Sequence, residues 1–357
     1  MQDTRNDQWN DHKRARTLTS VRRILGAAFL AVLLFACATS EVPPGPGPTD
    51  AGLAGADFVT SDGTHLFMRA WMPDTPPTAV VVALHGFNDH SRAFDKVAGA
   101  PGLGPYLAER GVAVYAYDQR GFGHSEHAGL WPGRDALIRD FRAFVDVVRG
   151  LHPGLKVFAL GESMGGAVLL TAMANPTPPA VDGVILVAPA VWARSTMPFY
   201  YRPALWLGAH IAPGWRPTGE GLGRMASDNI PMLRENGRDP LFIKKTRLDA
   251  IYGLVGLMDE ALLVPPRIKG PVLYMYGAND QIIPAVAAER AVDNFIGGRA
   301  GFRFAYYERG WHMMLRDLGG AVPLADIAAF IADPAGALPS GAETDAFAKL
   351  KAKKNEE

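Results

Sequence analysis

From residue 79 onward, short apolar runs bounded by glycine and proline alternate with stretches of helical period. The runs Ala79–Leu84, Val112–Tyr117, Lys156–Leu160, Val184–Val187, Val272–Tyr276 and Phe302–Tyr307 are continuous rather than alternating, so each predicts a strand buried on both faces. Leu137, Ile138, Phe141, Phe144, Val145 and Val148 recur at intervals of three and four and predict one face of a crossover helix. Ahead of these, Phe58 to Thr60 and His65 to Trp71 flank Ser61-Asp62-Gly63-Thr64, whose Asp-Gly pair signals a hairpin. The pattern predicts an α/β chain with a doubly wound, mostly parallel sheet that opens with a hairpin.

The strand rhythm lapses between Val191 and Pro266, where Trp, Tyr, Met and Leu crowd among prolines. This predicts a helical cap over residues 191–266, inserted into a core formed by 57–190 and 267–335. The insertion leaves a strand at its carboxyl end, where open α/β sheets bind ligands. Trp192, Phe199 and Tyr200 are therefore candidates to line a pocket, the alternative being that the aromatics form only the insertion's own small core. Residues 336–357 mix Lys, Ala and Glu and predict a solvated helix or a frayed tail. No repeat of solenoid length is present.

The amino-terminal residues are patterned for export. Lys13, Arg14, Arg16, Arg22 and Arg23 precede an uncharged run from Ile24 to Ala36, shorter than the roughly 20 residues of a comfortable membrane span. Residues 1–36 are thus expected to be a signal peptide. Leu34-Phe35-Ala36-Cys37 resembles the bacterial lipoprotein box, which makes Cys37 the expected lipid attachment point. Residues 37–56, rich in Pro and Gly, would form a tether, and the resemblance implies an envelope protein facing the periplasm and associated with a membrane. The alternative is a plain signal peptide or anchor with an incidental cysteine.

Composition narrows the partners. Lys+Arg and Asp+Glu both number 36, so no basic nucleic-acid surface is implied. The single cysteine rules out an intramolecular disulfide.

The sharpest chemical signal is Gly161-Glu-Ser163-Met-Gly165, which directly follows a predicted strand and opens a predicted helix. A serine in that context is pushed out of a tight turn, and Gly161 and Gly165 let strand and helix approach each other. Serine is a weak nucleophile until a base accepts its proton and a third group orients that base. Asp280 lies just past the strand Val272–Tyr276, and His312 just past Phe302–Tyr307, in the order Ser, Asp, His. Glu308 is the substitute carboxylate. The backbone N–H groups of Met164 and of Phe87, in His85-Gly86-Phe87, are the candidate oxyanion donors. His85 and Gly86 are expected to shape that loop. His124 and His127 have metal-like spacing but no further ligand set, so neither metal nor organic cofactor is expected.

The segments His85-Gly-Phe-Asn-Asp-His90-Ser91-Arg-Ala-Phe94, Asp118-Gln-Arg-Gly-Phe-Gly-His-Ser125, Gly161-Glu-Ser-Met-Gly165 and Gly277-Ala-Asn-Asp280 resemble the monoacylglycerol lipase and lysophospholipase branch of the α/β-hydrolases, of serine aminopeptidase S33 type. The likeness runs from Asp57 to Ala332 and is loosest in the cap, where Asp239-Pro240-Leu241 is an echo. It implies an α/β-hydrolase fold, a small-molecule acyl ester substrate, an acyl-serine intermediate, and a structural role for the Asp118 to Ser125 loop. Acyl transfer, peptide cleavage and ligand binding without turnover are the alternatives on the same scaffold.

Overall fold

A computed structural model describes residues 40–218, 223–263, 268–296 and 301–356. Residues 1–36, expected to be a signal peptide, and Cys37 lie outside the described residues. Among the described residues nine strands form one sheet: β1 Gly52–Ala54, β2 Asp57–Val59, β3 His65–Trp71, β4 Ala79–Leu84, β5 Val112–Tyr117, β6 Lys156–Glu162, β7 Gly183–Val187, β8 Val272–Gly277 and β9 Phe302–Tyr307. Their spatial order is β1-β2-β3-β5-β4-β6-β7-β8-β9. The first three strands pair antiparallel, β3 pairs antiparallel with β5, and every pair from β5 to β9 is parallel.

The helices are α1 Leu103–Ala108, α2 Arg134–Leu151, α3 Met164–Met173, α4 Tyr201–Ile211, α5 Ile230–Arg238, α6 Leu248–Leu263, α7 Ala285–Ile296, α8 Ala321–Ala332 and α9 Ala346–Glu356. They cover both faces of the sheet, which explains the continuous apolar runs. In β4, Val80, Val82 and Leu84 join a core shared with α2 and α3, while Ala79, Val81 and Ala83 join another shared with α1 and α8. Leu137, Phe141, Phe144, Val145 and Val148 are fully buried on the sheet side of α2, the face their spacing specifies.

Strand order fixes where chemistry can sit. The chain steps from β4 to β5 on one side and then returns to place β6 on the other. The loops after β4 and β6 diverge there, leaving a crevice at the carboxyl ends of the strands. Between β7 and β8 the chain leaves the sheet for α4, α5 and α6, the helical insertion expected there.

Two terminal segments differ from their sequence reading. The tract expected to be a free tether is laid against the body: Ser40 N–H donates to Asp249 Oδ2 (3.1 Å), Val42 N–H to the Trp131 carbonyl (2.9 Å) and Gly45 N–H to Asp62 Oδ2 (3.1 Å). Gly52–Ala54 then adds an edge strand to β2. A proline-rich chain has few internal hydrogen bonds to make, so its remaining polar groups find partners on the surface it crosses. The carboxyl-terminal segment, expected to be a solvated helix or a frayed tail, is a helix that docks along one side. Leu350 is fully buried, Lys354 pairs with Glu289 (2.8 Å) and Lys349 with Glu308 (2.9 Å).

Candidate active site

Ser163 occupies the turn between β6 and α3 with φ 52° and ψ −115°, a conformation that non-glycine residues rarely adopt. Such strain costs on the order of 1–3 kcal/mol and persists only where the surroundings over-determine it. Here they do. A Cβ on Gly165 would lie 2.2 Å from the Leu84 carbonyl oxygen, and one on Gly161 would lie 2.5 Å from Gly165 backbone atoms. Ser163 N–H donates to the Val187 carbonyl (3.0 Å), and the Ser163 carbonyl accepts from Ala190 (2.8 Å).

The loops after β8 and β9 bring the partners in. They touch through Asn279 N–H to the Gly310 carbonyl (2.9 Å), and a Cβ on Gly277 would sit 2.4 Å from the Gly310 carbonyl oxygen. Ser163 Oγ–H donates to His312 Nε2 over 2.9 Å, and His312 Nδ1–H donates to Asp280 Oδ2 over 2.8 Å. The other Asp280 oxygen accepts from the N–H groups of Ile282 (2.8 Å) and Ile283 (2.9 Å), so the carboxylate cannot swing away without losing both. Burial presses the His312 pKa down, but the Asp280 charge and hydrogen bond, helped by Glu162, hold it above the ordinary imidazole value of 6.5. Glu308, the substitute carboxylate, is exposed and paired with Lys349, away from the imidazole.

The loop after β4 passes beside the hydroxyl: a Cβ on Gly86 would lie 3.9 Å from Ser163 Oγ. His85 is fully buried, donates from Nδ1 to the Gly86 carbonyl (2.8 Å) and accepts at Nε2 from Gln119 N–H (2.9 Å). Burial keeps its pKa low, so it acts as a neutral brace. Asp118 accepts from Ser91 N–H (2.8 Å) and His124 N–H (2.9 Å), binding the Asp118 to Ser125 loop to the same region. His124 Nδ1 is turned to that carboxylate at 2.8 Å. Phe87 and Met164 follow Gly86 and Ser163 in the chain, and neither backbone N–H has a protein acceptor among the described residues. Both remain available to a developing oxyanion.

A cavity of about 690 Å³ opens from Ser163 and His312 under the cap. Trp192 lines it. Phe199 and Tyr200 do not: they are 83% and 54% exposed. They precede the first turn of α4, whose inward face is instead formed by Tyr201, Ala204, Leu205 and Gly208. The opposite wall comes from α6 through Leu248, Ile251, Leu254, Val255 and Met258. Their spacing of three, three, one and three residues is a helical stripe visible in the sequence, but one that composition-led attention to aromatics passes over.

A family profile described as Serine aminopeptidase, S33 matches residues 75–319. The monoglyceride lipase of Rattus norvegicus is 33% identical over 274 residues, covering 73% of this chain and 84% of that protein. The monoacylglycerol lipase of Mycolicibacterium smegmatis is 31% identical over 242 residues, covering 66% and 82%. Among solved structures, the Paleococcus ferrophilus monoacylglycerol lipase superposes with a TM-score of 0.61 at 21% identity, covering 76% of this chain and 99% of that one. A soluble variant of the Saccharomyces cerevisiae monoglyceride lipase superposes with a TM-score of 0.63 at 18% identity, covering 83% and 100%. The architecture is the α/β-hydrolase fold.

Proposed function

The chain belongs to the serine aminopeptidase S33 family and is a carboxylic ester hydrolase, and from that premise we propose that it cleaves lipid-like esters, monoacylglycerols or lysophospholipids, through an acyl-serine intermediate. One observation carries the reading: the hydrogen-bonded chain Ser163–His312–Asp280 ends at the floor of a largely apolar cavity large enough for an acyl chain. In the first half-reaction Ser163 Oγ attacks the ester carbonyl while His312 Nε2 takes its proton. Asp280 keeps the imidazole oriented and stabilises its charged form. The N–H groups of Phe87 and Met164 receive the oxyanion. His312 then protonates the departing alcohol. In the second half-reaction the same imidazole deprotonates water as it attacks the acyl carbonyl, then returns that proton to Ser163 Oγ as the bond to serine breaks and the acid leaves.

Monoglyceride lipase and monoacylglycerol lipase are the names of the relatives above, which supports glycerol esters as the first substrates to try. The test is turnover across monoacylglycerols, lysophospholipids and aryl esters of graded chain length, with rapid acid quench and intact mass analysis. The reading expects kcat/KM to rise with acyl length and an adduct of acyl mass at Ser163. Turnover confined to aminoacyl amides would contradict it.

The basic, apolar and cysteine-containing amino-terminal pattern supports, as a second part of the proposal, a lipid on Cys37 and a position on the periplasmic face of the envelope. Ser40, three residues later, is already bonded to Asp249 on α6, so such an anchor would hold the catalytic body close to the bilayer. Mass spectrometry of the mature amino terminus decides it: an acylated Cys37 supports the anchor, and an unmodified later residue removes it.

A further inference from the structure

Beneath the catalytic imidazole lies an ionic cluster that the acyl-serine mechanism leaves unused. Arg316 follows His312 by one helical turn's worth of chain, and its side chain is 3% exposed. One guanidinium nitrogen lies 2.8 Å from Asp89 Oδ2, and another donates to Glu162 Oε2 over 3.0 Å. Asp89 belongs to the loop after β4, which carries Phe87. Glu162 ends β6 and directly precedes Ser163. One planar cation therefore ties together the loop of the general base, the nucleophile turn and the oxyanion loop.

Energetics argue against a purely stabilising role. Buried ion pairs repay their desolvation poorly, and apolar replacements of the same volume are often as stable. This cluster carries a further cost, since Glu162 Oε1 and Arg316 Nε are buried without a hydrogen-bond partner, and Asp89 Oδ2 is close to the guanidinium as an ion pair without forming a well-aligned hydrogen bond. What an Arg fork supplies that apolar packing does not is fixed spacing and orientation between two carboxylates. All three residues also border the substrate cavity beside Ser163 and His312.

We infer that Arg316 is a positioning residue, which with Asp89 and Glu162 locks the nucleophile turn, the oxyanion loop and the His312 loop into one reactive geometry and sets the charge beside the imidazole. The inference rests on the esterase reading above. The charged groups facing His312 are Asp280 from the β8 loop, Glu162 from β6 and Arg316 from its own loop, with Asp89 reaching it through Arg316. Asp317, next in the chain, is turned to Trp311 N–H (2.8 Å) and Ser227 Oγ–H (2.6 Å). Glu162 favours the protonated imidazole and Arg316 disfavours it.

The experiment compares kcat, KM and the pH dependence of kcat/KM on a soluble aryl ester for the wild-type protein, Arg316→Met, Arg316→Lys and Glu162→Gln, with folded fraction measured by circular dichroism. Arg316→Met is expected to lower kcat about 100-fold per folded molecule with KM little changed, since a displacement of about 1 Å is enough for that loss. Arg316→Lys should restore only part of it, because an ammonium lacks the fork. Glu162→Gln keeps the shape and leaves Arg316 its Asp89 partner, so it reads the charge effect even if Arg316→Met does not fold. It is expected to move the acid limb of kcat/KM down by roughly half a unit to one unit. Wild-type kcat per folded molecule in Arg316→Met, or an acid limb unmoved in Glu162→Gln, overturns the inference while leaving the esterase reading intact. Absence of turnover by the wild-type protein overturns both.

Discussion

Three side chains separated by 149 and 32 positions in the chain meet within hydrogen-bond distance, and each has a separate consequence. Removing the hydroxyl in Ser163→Ala should lower ester turnover by several orders of magnitude with no loss of thermal stability, because the residual rate comes from binding and the oxyanion donors alone. Asp280→Asn should cost on the order of 10⁴-fold in kcat through the wrong imidazole tautomer, whereas Glu308→Gln, at an exposed ion pair, should leave kcat unchanged. Steady-state kinetics on an aryl ester separate the two carboxylates. The base must be neutral to act, and its pKa is held above 6.5, so kcat/KM should fall as pH drops through a value above 6.5 rather than below it. An acid limb below 6.5 would show that Asp280 does not govern the imidazole. The convergence of Ser163, Asp280 and His312 was legible because residue type, chain order and strand-end position agreed. The burial of Arg316, Asp89 and Glu162 was not, because charged residues in loops and at strand ends suggest solvent until the fold buries them.

Elements were legible to the extent that burial wrote itself into the sequence. The six parallel strands are covered on both faces, and their continuous apolar runs announce it. Gly52–Ala54 carries no such signature, since a three-residue edge strand buries little. Docking of α9 depends on Ala346 and Leu350, four residues apart, within a helix otherwise polar enough to suggest solvent on all sides. Leu350→Ala should therefore destabilise the protein by about 2–5 kcal/mol in urea unfolding while leaving kcat of the folded protein unchanged. In the cap, the inward stripe of α4 distinguishes two neighbouring large residues. Leu205→Ala should lower kcat/KM for long-chain esters roughly 10-fold and spare short ones, as loss of one buried aliphatic contact implies, while Phe199→Ala should leave chain-length preference unaltered. A chain-length series on both variants distinguishes them.

For the molecule as a whole, the topology of the sheet explains why residues so distant in sequence share one site. The reversal of strand order between β5, β4 and β6 opens the crevice, the turn that carries Ser163 and the loop that carries Phe87 flank it, and the β8 and β9 loops bring Asp280 and His312 from the neighbouring strands. The helical insertion roofs the same crevice, turning the sheet edge into a largely apolar, partly open cavity. This arrangement is expected to make one hydroxyl, that of Ser163, reactive. The most direct test is a fluorophosphonate added to the native and the urea-unfolded protein, followed by peptide mass mapping. A single stoichiometric adduct on Ser163 in the native protein, lost on unfolding, is the expected result; a native protein left unlabelled, or labelled at another residue, contradicts the account.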